Sequence, residues 1–334
     1  MTLIKKGLLC SLALLVSPIL FPATAPAADK LVAAYAAISP DQLAVLTAAK
    51  LKLFEKHDLD VKVIYIGGST AVTQAMVSGD VEIAHLGGAG ILSARAARID
   101  LVYVAAIINV MAGRIIGRPE IKSMADLKGK AIAATRAGSN SDYWARLAIS
   151  RSGLVPDRDV KLFYTGGLPA TYAAMQQGLV AAGTWGFGNP FSNSLMKQGY
   201  NQLIDLGRIG AAFPHAGVTM MRSTLQSQRP IVLRYMKAIL EGMKVNFTDK
   251  PFAKKMIAEL TGVKDDDLVE ESYTQITRNM NRVPHPTVDG WAELIEFTEK
   301  FDPRVKGIKP EEAIDGSIMR ELEKSGFIKL IGLK

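Results

Sequence analysis

The sequence predicts an α/β protein of two lobes, each a mainly parallel sheet flanked by helices, with a helical C-terminal extension on the first lobe. Three observations predict it. Short apolar runs alternate with amphipathic runs over 31–107 and again over 130–205, the pattern of βαβ units. Four small-residue loops each follow an apolar run and open an amphipathic one: Gly67-Gly68-Ser69-Thr70, Gly87-Gly88-Ala89-Gly90, Ala137-Gly138-Ser139-Asn140 and Gly166-Gly167-Leu168-Pro169. Beyond Ser223 the β-type runs stop and only helical periodicity remains.

Taken in order, Leu31–Ala37 reads as a strand, and Gln42–Lys56 as a helix opened by Ser39-Pro40-Asp41. Asp60–Ile66, Val81–Leu86 and Leu101–Ile107 read as strands, with helices Ser69–Ser78 and Ala89–Ala97 between them. The alternation restarts with strands Lys130–Thr135, Val160–Tyr164, Ala181–Trp185 and Asn201–Asp205, separated by helices Ser141–Ser152, Ala170–Gln177 and Pro190–Lys197. Gly217–Arg222 is one further strand. Helices are then expected over Pro230–Phe247, Pro251–Leu260, Asp265–Asn279, Val288–Lys300 and Ser317–Lys324. Two runs, Asn109 to Arg114 and Arg208 to Gly217, read as crossovers. They divide the chain into a leader (1–27), the first part of lobe one (28–112), lobe two (113–214) and a return to lobe one (215–334).

The leader has the form of an export signal. Lys5 and Lys6 precede an apolar run, Gly7 to Phe21, too short for a comfortable membrane span, and Ala25-Pro26-Ala27 places cleavage after Ala27. Cys10, the one cysteine of the chain, lies too early and follows Leu9, so lipidation there is the lesser reading. Without it the remaining chain has no disulfide, thiolate metal site or cysteine nucleophile. The net charge of +8 is interspersed along the chain without a basic run, which disfavours nucleic acid as a partner.

The four loops fall at strand C-terminal ends, where open α/β sheets bind ligands. Each would offer backbone N–H groups at a helix N-terminus to a polar or anionic ligand. The candidate ligand contacts are therefore Ser39, Gly68, Ser69, Thr70, His85, Gly87, Gly88, Ala89, Ser139, Asn140, Gly167, Trp185 and His215. Trp185, among glycines, could stack on a planar solute or fill the gap between lobes. His85 could reach the ligand or sit in the core, and His215 could brace the return crossover or touch ligand. Arg114 and Arg136 are the nearest basic side chains. Tyr143 and Trp144 follow the third loop, one of them facing the core. The four histidines are too scattered for a metal site. No nucleophile elbow, P-loop or dinucleotide fingerprint is present, so no catalytic residue, metal or cofactor is expected.

Several stretches carry a family resemblance. Leu53-Phe54-Glu55-Lys56-His57-Asp58-Leu59-Asp60-Val61, Ser78-Gly79-Asp80-Val81-Glu82-Ile83-Ala84, Ala125-Asp126-Leu127-Lys128-Gly129-Lys130, Pro284-His285-Pro286-Thr287 and the segment Glu321–Ile328 resemble the solute-binding proteins of ABC importers for nitrate, sulfonates and thiamine precursors. Where Lys52 and Asp58 stand, that family often has glycine, and Ala181 replaces a usual acidic residue. The resemblance implies the two-lobed type II periplasmic binding protein fold and a monomer in the periplasm. It also implies a small anionic or polar organic solute, nitrate-, sulfonate- or taurine-like, delivered to a membrane permease and its ATPase. A thiamine-pyrimidine precursor or aromatic solute is the alternative. An enzyme on the same fold, or a sensory receptor, is a lesser one.

Overall fold

The computed structural model describes residues 28–333. The export signal, its cleavage after Ala27 and Cys10 lie outside the described residues. No described helix is long and apolar enough to cross a membrane.

The first sheet begins with β1 (Asp29–Tyr35), which leads through a 3-10 turn, Pro40–Gln42, into α1 (Leu43–Lys50) and α2 (Leu53–Lys56). Then come β2 (Leu59–Tyr65), α3 (Ser69–Val77), β3 (Ile83–Leu86), α4 (Gly88–Ala96) and β4 (Leu101–Val110). The sequence reading joined α1 and α2 into one helix. They are separate because Lys52 turns left-handed, at φ 55°, and Asp58 does so again at φ 57° before β2. These are the two positions at which the resembled family often carries glycine.

The second sheet holds β5 (Gly113–Gly117), β6 (Ala131–Ala134), α5 (Asn140–Arg151), β7 (Lys161–Tyr164), α6 (Leu168–Gln176), β8 (Ala182–Gly186), α7 (Pro190–Lys197) and β9 (Asn201–Asp205). β10 (Ala212–Met221) returns to the first sheet. It starts five residues before the strand expected at Gly217. β5 is not among the expected strands: the crossover expected over Asn109 to Arg114 covers its first two residues, and the sequence reading assigns no element to the rest.

Both sheets have the same plan. The first runs β2-β1-β3-β10-β4 and the second β7-β6-β8-β5-β9. In each, four strands point one way and the fourth position is antiparallel. The reversed strands, β10 and β5, are those that arrive directly from the other sheet. A strand that leaves one sheet at its C-terminal edge must enter the next from the same edge, hence against the others. The sheets are therefore mixed at those positions. The two crossings run side by side, with the Met111 N–H donating to the Ala211 carbonyl at 2.8 Å. The C-terminal ends of both sets of strands consequently face the crossings and each other.

Local chemistry accounts for the elements. β4 is apolar almost throughout and buried from Leu101 to Ile108, as a central strand covered on both faces must be. Each of its buried leucine, valine and isoleucine side chains contributes about 1.5–3 kcal/mol. Ser139 caps α5 by accepting from the Asp142 N–H, and Asn189 caps α7 ahead of Pro190.

The tail comprises α8 (Arg222–Ser227), α9 (Arg229–Thr248), α10 (Lys250–Thr261), α11 (Asp266–Asn279), α12 (Trp291–Glu299), α13 (Ser317–Lys324) and α14 (Phe327–Leu330). α9 lies on the first lobe, where Gly242 sits against the Ala44 carbonyl. The tail also reaches the second lobe. Gln275 accepts from the Gly188 N–H at 2.6 Å, and Phe297 meets Tyr143 edge-on at 5.2 Å.

Candidate functional site

A cavity of about 70 Å³ lies where the two sets of strand ends meet. From the first lobe it is lined by Ala36, Ala37, Ser39, Asp41, Gln42, Gly68, Ser69, Leu86, Gly87 and His215, and from the second by Thr135, Ser139, Asn140, Ser141, Trp144, Leu168, Thr184 and Gly186. Seven of the thirteen candidate contacts are therefore brought together: Ser39, Gly68, Ser69, Gly87, Ser139, Asn140 and His215.

The lobes touch around this cavity. Asn140 at the start of α5 accepts from the Ala89 N–H at 3.3 Å and donates to the His215 carbonyl at 2.8 Å. The Thr70 hydroxyl donates to the Ala137 carbonyl at 2.7 Å, and Arg136 Nε to the Gly67 carbonyl at 2.6 Å. A Cβ on Gly87 would strike the Asn140 amide and the His215 carbonyl, so glycine is what permits this approach.

The other six candidates lie elsewhere. Thr70 and Ala89 border a neighbouring cavity of about 350 Å³, with Asp142 and Arg146. Gly88 packs on Pro214, and Gly167 lies beneath the Tyr65 hydroxyl. His85 is buried and hydrogen-bonded to Tyr235 at 2.8 Å, and burial pushes its pKa down to about 3. Trp185 is fully buried in the second lobe's own core, tilted toward Phe191. The indole that lines the cavity is Trp144, while Tyr143 stacks on Phe213.

A carboxylate and an imidazole, Asp41 and His215, face the cavity, and sequence reasoning missed the first of them. Asp41 Oδ2 lies 3.1 Å from His215 Nε2. Burial alone would push the Asp41 carboxyl up, but His215, Ser39 and Gln42 together hold it below the usual range. Trp144 and Phe187 of the second lobe both stack on the His215 ring, at 5.1 and 5.5 Å. No lysine or arginine is among the described residues lining the cavity. Arg114 is instead buried against Ser192 and Asn193, and Arg136 braces the Gly67 loop.

The hydroxyls of Thr135, Ser139 and Ser141 bond one another at 2.9–3.1 Å. Five residues that line the cavity each carry a buried polar atom without a partner: Asp41 Oδ1, Gln42 Oε1, Trp144 Nε1, Thr184 Oγ1 and His215 Nδ1. Buried polar groups are ordinarily satisfied, so this concentration of unpartnered atoms sets the cavity apart.

A family model described as NMT1/THI5 like matches residues 39–253. The chain belongs to that family. A relative from Brucella abortus, described as a candidate binding protein, is 24% identical over 258 residues, covering 73% of this chain and 76% of its own length. Two solved structures bear on the fold of this NMT1/THI5-like chain. The alkanesulfonate-binding protein SsuA from Xanthomonas axonopodis, bound to MOPS, superposes with a TM-score of 0.72 at 20% identity, covering 87% of this chain and 98% of that one. The periplasmic nitrate-binding protein NrtA from Synechocystis gives 0.71 at 13% identity, covering 89% and 88%. The fold is thus the two-lobed one of periplasmic binding proteins.

Proposed function

We propose that this chain is the extracytoplasmic solute-binding component of an ABC importer. It acts as a monomer in the periplasm, closes its lobes on one small polar solute and presents the closed form to a membrane permease driven by its ATPase. The carrying observation is the interlobe cavity with its unpartnered polar atoms, Asp41 Oδ1, Gln42 Oε1, Thr184 Oγ1 and Trp144 Nε1. Family membership and the fold support the same reading. The lining, with one carboxylate and no lysine or arginine among the described residues, favours a polar organic solute over a simple anion such as nitrate. Trp144 supplies the aromatic wall for which Trp185 is one of the sequence's candidates. The protein performs no reaction on the solute.

The test is a thermal-shift and calorimetric screen of sulfonates, nitrate, carboxylates, amines and pyrimidines, since a ligand specific to the folded state raises its melting point. Gly87→Val, checked by circular dichroism, is expected to abolish the response by wedging the lobes apart. A response that survives in Gly87→Val, or chemical change of the recovered ligand, overturns the reading.

A further inference from the structure

The unpartnered atoms of the cavity are unevenly divided between donors and acceptors. Asp41 Oδ1 and Gln42 Oε1 are acceptors on consecutive residues, and neither has a partner. Gln42 is 3% exposed and the Asp41 side chain 12%. The other Asp41 oxygen is taken by His215. Against these two acceptors stands one obligatory donor without a partner, the Trp144 indole N–H, while His215 Nδ1, also unpartnered, donates or accepts with its tautomer. The Thr184 hydroxyl serves either way. The cavity therefore asks its occupant mainly for hydrogen-bond donors.

Charge points the same way. A free anion in this cavity would meet the Asp41 carboxylate, with His215 the one lining residue able to carry a compensating positive charge. It would also leave both acceptors unsatisfied, since it brings no N–H of its own, and burying such groups without partners is unfavourable. An ammonium, amidinium or amide nitrogen satisfies Asp41 and Gln42 together. A second, acceptor end of the same molecule can then take the indole N–H of Trp144.

We infer that Asp41 is the specificity-determining residue of the cleft, and that with Gln42 it selects solutes bearing an N–H donor and rejects the corresponding plain anions. The inference rests on the reading of the cleft as a solute site. A site built to bond an N–H discriminates strongly against the analogue that lacks it.

Matched pairs differing by one nitrogen donor provide the test: 2-aminoethanesulfonate with ethanesulfonate, 3-aminopropionate with propionate, and 4-aminopyrimidine with pyrimidine. Calorimetry on the wild-type protein is expected to show the nitrogen-bearing member of at least one pair binding about tenfold tighter or better, with Asp41→Asn reducing that gap to less than about threefold. If Asp41→Asn fails to fold, the wild-type pairs decide alone. Equal affinities within every pair, no response to any nitrogen-bearing member, or a gap that survives in a folded Asp41→Asn overturns the inference. Equal affinities that vanish in Gly87→Val overturn only this selectivity and leave the cleft standing. Binding that persists in Gly87→Val overturns the cleft reading itself.

Discussion

The Trp144 indole lies over the His215 imidazole, with ring centroids 5.1 Å apart and planes 28° from parallel. One ring belongs to α5 of the second lobe and the other to β10 of the first sheet, so the stack spans the cleft. Truncating a buried tryptophan costs about 3–5 kcal/mol. Trp144→Ala is therefore expected to lower the melting temperature by roughly 5 °C, since an unfolding entropy of about 2.1 cal/mol/K per residue gives about 1.5 °C per kcal/mol for a chain of this length. It should also increase the radius of gyration in small-angle scattering, because the lobes lose a contact that holds them together. An unchanged radius would remove the stack from the closing interaction.

The Asp41–His215 pair gives the protein an acid-side sensitivity. The folded carboxyl lies below the usual range, so its stabilising contribution is complete above the unfolded value of about 3.9. It is lost as pH falls through the folded value. Urea titrations at several pH values are expected to show the wild type losing stability more steeply than Asp41→Asn below about pH 4. Parallel curves would contradict the pairing.

His85 acts over a different window. Burial lowers its pKa to about 3, whereas the unfolded imidazole takes up a proton near 6.5. Below that value the unfolded state binds more protons than the folded one, so stability falls between about pH 6.5 and 3. From pH 7 to 4.5 the wild type is expected to lose about 2–3 kcal/mol through this residue. His85→Gln, which can still bond Tyr235, should not show that loss. Equal losses in the two proteins would count against a buried neutral imidazole.

Lys52 is held left-handed at φ 55° between α1 and α2. That conformation costs an L-residue roughly 1–2 kcal/mol, part of which glycine returns as chain entropy. Lys52→Gly is expected to raise unfolding stability by about 0.5–1 kcal/mol in urea, net of that entropy. Asp58→Gly should gain less, since aspartate tolerates the turn better. A lower midpoint for Lys52→Gly would show that its side chain contributes packing.

The alternation of strands and helices, the loops at strand ends and the helical tail were all legible in the sequence, because each is a local pattern. The choice of face was not. On β8, Thr184 and Gly186 line the cavity while Trp185 turns away. On β3, Leu86 lines it and His85 does not. A one-residue change of parity exchanges the two faces of a strand, and residue identity alone does not fix which face meets a cleft.

Asp41 was hidden for another reason. Beside Ser39 and Pro40 it reads as an ordinary helix opener, and its partner His215 lies 174 positions later. Only the return of β10 to the first sheet brings them together. β5 was missed because five residues bounded by Gly113 and Gly117 look like connection, and their strand character comes from β8 and β9 on either side.

The chain has three tryptophans. Trp185 and Trp291 are fully buried, the first in the second lobe's core and the second against Tyr103. Trp144 alone has its indole on a ring carried by the opposite lobe. The molecule thus contains an optical gauge of its own cleft: two emitters buried in the cores and one stacked on an imidazole of the opposite lobe. Intrinsic fluorescence can then report opening and closing in unlabelled protein, and Trp144→Phe isolates the background.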